Sequence, residues 1–172
     1  IVRIGAEQEF CLVNEQWRPA NNALKVLEEI SDEHFTTELA RYNLEINLDP
    51  VELKGKAFKH IENQLNSLLQ KATQAATNNN NQIVLTGILP SLSLHELDLD
   101  FMTPNSRYYA LNDLMKNASD GTFKMHVYRV DELSIIHDSI MFEACNTSFQ
   151  MHLQIHPNDF MSSYNWAQAI AA

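Results

Sequence analysis

Four glutamates and one histidine in this sequence fall where side chains could share divalent cations. Residues 1–13, IVRIGAEQEFCLV, alternate with a period of two. Val2, Ile4, Ala6, Phe10 and Leu12 take one face, and Arg3, Glu7, Glu9 and Cys11 the other. Side chains at i and i+2 of a strand stand about 6.6 Å apart, so Glu7 and Glu9 can flank one ion cluster. Leu44, Ile46 and Leu48 alternate in the same way against Asn43, Glu45 and Asn47, with Glu38 seven residues before Glu45 and Pro50 closing the run. Residues 146–156, NTSFQMHLQIH, set Phe149, Met151, Leu153 and Ile155 against Ser148, Gln150, His152, Gln154 and His156. Hard cations such as Mg²⁺ and Mn²⁺ prefer carboxylate oxygens and keep open positions for phosphate. Four glutamates with one histidine on a single sheet face would suit two or three such ions. Taken singly, each of these residues reads as an ordinary solvated strand position; the joint pattern points to metal.

Helices must cover the apolar backs of these strands. Residues 21–30 predict a short helix with Leu24, Leu27 and Ile30 on a common side. The strongest helical pattern runs over 51–77, where Phe58, Ile61, Leu65, Leu68 and Ala72 keep the 3–4 spacing and the asparagines at 78–81 end it. Residues 82–90 predict a buried strand and 91–104 a loop. Residues 105–118 predict a helix with Tyr108, Leu111 and Met115 inward. Residues 122–130 predict a further strand, and the segment from Pro157 opens a helix. With no repeat and no linker, the expectation is one α+β domain over 1–172. It consists of an antiparallel sheet with helices on its apolar face and a polar face left open.

Composition narrows the partners. The 172 residues carry 12 basic against 22 acidic side chains, a net charge of −10. That sign disfavours nucleic acid and anionic lipid, both of which require a basic surface. No apolar run approaches the roughly 20 residues of a membrane helix. The two cysteines, Cys11 and Cys145, form no paired motif, so a reduced, cytoplasmic setting is expected. Four isolated glycines offer no phosphate-cradling loop, and neither HExxH nor a GxSxG elbow occurs. Cys145 and His152 have opposite parity along the strand, which argues against a nucleophile pair. The sequence lacks an initiator Met and stops at Ala171-Ala172 inside an apolar helical pattern. It therefore reads as a fragment, with the remainder of its own chain an expected partner.

The segments carrying the acidic residues resemble a known family. GAEQEF at 5–10 resembles the G-x-E-x-E-F opening of the type 2 glutamate–cysteine ligases, and TELARYNLEINLDP at 37–50 resembles their second acidic segment. MTPNSRYYALND at 102–113, HDSIMFEACNTSFQMHLQI at 137–155 and YNWAQAIAA at 164–172 are similar to further blocks of the bacterial members, in the same order. The resemblance implies a glutamine synthetase-like fold, in which a curved antiparallel sheet cradles ATP and divalent metal. It also implies ligation of glutamate to cysteine, the first step of glutathione synthesis. Glu7, Glu9, Glu38, Glu45 and His152 would then hold Mg²⁺ or Mn²⁺ around the ATP phosphates. Asn146 and Gln150 on the polar front would touch substrate. Family members run beyond this length, and their later part supplies another ligating glutamate and basic residues. Two other readings stay open: a carboxylate–amine ligase with a different acceptor, and a non-catalytic metal- or nucleotide-sensing module on the same scaffold.

Overall fold

The computed structural model describes residues 2–118, 121–128 and 130–171. Ile1, Arg129 and Ala172, which the sequence pattern assigns to two strands and the terminal helix, lie outside the described residues. The organising element is β1 (Arg3–Val13), which is paired antiparallel along both edges. On one edge lie β3 (Asn43–Asn47) and then the short β4 (Val51–Glu52), with β2 (Phe35–Thr37) outside β3. On the other edge β8 (Phe149–Leu153) takes the first half of β1, and β5 (Gln82–Val84) takes its end. The result is a six-stranded antiparallel sheet in an α+β fold, as the alternating patterns require.

The apolar face of that sheet builds the main core. Ile4, Ala6, Phe10 and Leu12 of β1 join Leu44 and Ile46 of β3, and none exceeds 2% exposure. Two helices seal it: α1 (Ala23–Ile30) through Ala23 and Val26, and α2 (Ala57–Asn78) through Ala57, Ile61, Leu68, Ala72, Ala75 and Ala76. The many alanines of α2 let its axis approach the sheet closely while favouring the helix intrinsically. Gly55, at φ +55°, makes the left-handed turn into α2, a conformation that costs other residues strain.

The structure departs from the sequence pattern in several places. Leu24 and Phe58, expected on buried faces, are exposed, because α1 and α2 rotate their small residues inward instead. The run at 82–90 is strand only over Gln82–Val84, which is at most half-buried because it pairs with just the end of β1, while Leu89 beyond it is buried. Within 91–104 two short 3-10 turns form, at Leu94–Leu97 and Leu99–Phe101. In α3 (Ser106–Ala118) the buried residue is Asn112, which accepts from the Ile140 amide at 3.1 Å, while Leu111 and Met115 are exposed. The strand β6 (Phe123–Tyr128) pairs only with β7 (Glu132–His137), which the periodicity did not reveal, and this hairpin stands apart from the main sheet. The apolar side of β8 and the whole of α4 (Phe160–Ile170) are largely exposed.

One ionic cluster ties the sheet edge to α2. Asp32 accepts from Lys71 of α2, and its Oδ1 lies 2.6 Å from His34 Nδ1. Asp49 Oδ2 stands 3.3 Å from His34 Nε2. Lys71 and His34 hold the Asp32 carboxyl well below the usual carboxylate range, and Asp32 followed by Asp49 raises the His34 imidazole above 6.5. A histidine raised in the folded state stabilises fully below its unfolded value, and this contribution fades as pH climbs through the raised folded value. The melting-temperature gap between the parent chain and His34→Asn should therefore narrow from about pH 6 to about pH 9. Thermal melts read this directly, and a gap that widens with pH would contradict the assignment.

Candidate functional site

The polar face of the sheet is read along β1 as Arg3, Gly5, Glu7, Glu9, Cys11 and Val13. Strand register sets each against its neighbours. Glu9 faces Glu45 across β1 and β3, Glu7 faces Asn47 on one side and Gln150 on the other, and Gly5 faces His152. Glu38 arrives from the turn after β2, anchored where the Thr103 hydroxyl donates to its carbonyl at 2.7 Å. Carboxylate oxygens of Glu9, Glu38 and Glu45 thereby lie within 4.8 Å of one another, all three half-buried. The five residues singled out by the sequence divide into this trio and a separate pair, in which His152 Nε2 stands 3.2 Å from Glu7 Oε2.

Each carboxylate is held by donors from an adjacent strand. Glu9 Oε2 accepts from the Ser148 amide at 2.9 Å, and Glu9 Oε1 accepts from Gln150 Nε2 at 3.0 Å. Glu45 Oε1 accepts from Asn47 Nδ2 at 2.8 Å. Gln150 thus meets a carboxylate, while Asn146 lies further along, bridged to Ile88 and exposed at the rim of a separate cavity. Ser148 and Asn47 are participants that the search for ionisable types passed over. Asn47 was visible in the alternation, whereas the Ser148 contact is made by backbone and leaves no mark in residue type. Beyond Glu9 the polar face closes. Cys11 and Asn43 are buried side by side, and Asn43 Nδ2 donates to the Ala144 carbonyl at 2.8 Å. Burial pushes the Cys11 thiol up to about 11, so it stays protonated and inert. Cys145 ends the 3-10 segment Ile140–Cys145, outside the strand that carries His152.

The three carboxylates sit in a mutually repulsive, half-buried cluster. Burial, then the charges of Glu45 and Glu9, push the Glu38 carboxyl up to about 7. Burial likewise raises Glu45, with Glu7 and Glu9 adding repulsion against the relief supplied by Asn47. Three oxygens from three chain segments, with no ion pair to a lysine or arginine among the described residues, match the all-oxygen preference of Mg²⁺ and Mn²⁺. Ligands on opposite sides of Mg²⁺ stand about 4.2 Å apart, so small side-chain rotations bring this trio to bonding distance.

The chain is similar to one known family along nearly all its length: the model described as glutamate-cysteine ligase family 2 matches residues 3–166. No curated protein and no solved structure matches the chain. No helix among the described residues is long and apolar enough to cross a membrane.

A carboxyl raised by folding opposes folding once it must ionise. The folded protein binds the Glu38 proton more tightly than the unfolded chain does, so stability falls as pH rises from 4.5 towards 7. In chelator, Glu38→Gln should escape that fall and melt a few degrees above the parent at about pH 8. Adding Mg²⁺ or Mn²⁺ should raise the parent's melting temperature more than the variant's. A variant that melts below the parent across the whole pH range would contradict this account.

Proposed function

The chain belongs to glutamate-cysteine ligase family 2, a family of ATP-dependent carboxylate–amine ligases, and from that premise we propose that it takes part in joining the γ-carboxylate of glutamate to the amine of cysteine. The observation that carries this reading is the convergence of Glu9, Glu38 and Glu45 on the open face of the sheet. A carboxylate is a poor electrophile, so amide formation first needs it activated. One of its oxygens attacks the γ-phosphorus of ATP, ADP departs, and the amine then displaces phosphate from the acyl carbon. Divalent cations supply charge neutralisation on the phosphates during that transfer.

The residues of this chain have distinct parts in the scheme. Glu9, Glu38 and Glu45 hold cations, with Glu9 aimed by the Ser148 amide and Gln150. Glu7 and His152 form a second holding position on the same face. None of these serves as a nucleophile. Gln150 acts as a positioning residue through Glu9, and Asn146 is the substrate-facing amide. Domain extent is proposed as one unit over 1–172.

The test measures ADP release by the full-length protein with ATP, Mg²⁺ and glutamate across a panel of amino-acid acceptors. Cysteine should give the fastest turnover. Preference for another amine would keep the chemistry and rename the product, whereas tight metal–ATP binding without turnover would favour a sensing module. In the same assay Glu45→Gln should lower turnover by about two orders of magnitude or more, with the melting curve of a folded protein retained. Undiminished activity would remove Glu45 from the metal site.

A further inference from the structure

The three carboxylates of the trio are not held alike. Glu9 sits on β1, which is bonded along both edges, and Glu45 on β3, which lies between β1 and β2. Register alone fixes where those two side chains leave the sheet. Glu38 has no such support, because the β2–β3 register ends one residue earlier, at Thr37 opposite Leu44. It is carried past the end of the outermost strand, with the carboxylates of Glu9 and Glu45 facing it. Like-charge repulsion would swing the Glu38 segment away unless something else held it.

The segment from Met102 to Tyr108 supplies that hold. Thr103 is 3% exposed, and Pro104 after it favours extended backbone. Met102 bridges Ala40 antiparallel, and the Arg41 amide donates to the Phe101 carbonyl at 2.8 Å, so the two segments run side by side. Three consecutive carbonyls are then taken in order. The Tyr108 hydroxyl donates to Thr37 O at 2.9 Å, the Thr103 hydroxyl to Glu38 O at 2.7 Å, and the Thr103 amide to Leu39 O at 2.8 Å. Peptide groups are planar, so holding the carbonyls of Thr37 and Glu38 holds both planes that meet at the Glu38 Cα. The direction in which its side chain departs is thereby set. Tyr108 comes within reach because α3 starts beside the strand end: Asn105 Oδ1 accepts from the Arg107 amide at 3.0 Å, in the manner of a cap.

We propose that Thr103 and Tyr108 are positioning residues of the carboxylate trio, setting its cation affinity by aiming Glu38 at Glu9 and Glu45. The inference rests on the metal-holding part of the ligase reading above. It deepens that reading by making the affinity of the site depend on two uncharged side chains that act only through the backbone. Mg²⁺ demands oxygens at about 2.1 Å in near-octahedral placement, and a site loses its function when a ligand strays by more than about 0.5 Å. A loosened Glu38 would stray by that much. The bonds at stake come from hydroxyl groups, so removing one oxygen at a time isolates them from the bulk of each side chain.

Mn²⁺ alone is the probe, titrated into the full-length protein with the free ion counted by electron paramagnetic resonance. The binding that Glu45→Gln abolishes identifies the trio, apart from the Glu7–His152 position. Thr103→Val keeps the shape and removes the donor, and should weaken that binding by about tenfold, while Thr103→Ser should restore it. Tyr108→Phe should weaken it in the same direction. Leu68→Ala, in the core on the other face of the sheet, should lower the melting temperature and leave Mn²⁺ affinity unchanged. In turnover, Thr103→Val should raise the half-saturating Mg²⁺ by the same factor as the Mn²⁺ loss and leave KM for glutamate alone. Parental Mn²⁺ affinity in both Thr103→Val and Tyr108→Phe overturns the proposal while the metal site stands. So does a loss that Thr103→Ser does not restore, or one that Leu68→Ala reproduces. Should Thr103→Val fail to fold, Tyr108→Phe decides alone. A parent without any Mn²⁺ binding that depends on Glu45 overturns this inference together with the metal-holding reading.

Discussion

The site depends on one constraint: β1 is hydrogen-bonded along both edges and so cannot turn. A strand fixed in this way must send alternate side chains to opposite sides. Ile4, Ala6, Phe10 and Leu12 lock one side into a core closed by α1 and α2. Glu7 and Glu9 are thereby forced to the other, whatever their mutual repulsion. A slip of one residue in register would carry the carboxylates into the core and the core residues into water. The apolar burial on the back thus holds together charges on the front that would otherwise separate.

Much of that arrangement is legible in the sequence because strand alternation is a local signal. The pairs Glu7–Glu9 and Asn43–Glu45–Asn47 can be read as polar fronts without knowledge of partners, and the register then sets Glu9 against Glu45. Glu38 stands outside the alternation, seven residues before Glu45, because it enters from the turn after β2. What stayed hidden is non-local. The division of five candidate ligands into a trio and the Glu7–His152 pair depends on which strand lies on each edge of β1. The hairpin partner β7 escaped notice because ELSIIH at 132–137 mixes polar and apolar residues without clean alternation.

Two helix positions depart for a different physical reason. Ile61, Leu68 and Ala72 are buried as the spacing expects, yet Leu24 and Phe58 face solvent while Ala23, Val26 and Ala57 take the buried places. A helix laid on a tightly pleated sheet gains more from close approach than from one bulky contact, since dispersion falls steeply with a gap of even half an ångström. Ranking residues by hydrophobicity alone misses that preference. For α3 the inward residue is polar: Asn112 is buried because the Ile140 amide supplies the hydrogen bond its burial requires.

The layer above the sheet accounts for where reactive chemistry can occur. Tyr42 and Ser139 reach the carbonyls of Glu96 and Leu97, at 3.3 and 3.4 Å, and Asn43 reaches that of Ala144 at 2.8 Å. These side-chain to backbone bonds fasten the 92–102 and 139–146 segments over the far half of the polar face. Each buried donor there has lost water and found a fixed acceptor, so lifting the layer would leave several groups unsatisfied at once. Cys11 and Asn43 are sealed beneath it, while Glu7, Glu9, Glu38 and Glu45 remain only half-covered. The sheet therefore presents one continuous polar row of which only the acidic half is open to ligand. The boundary between the two halves falls between Glu9 and Cys11.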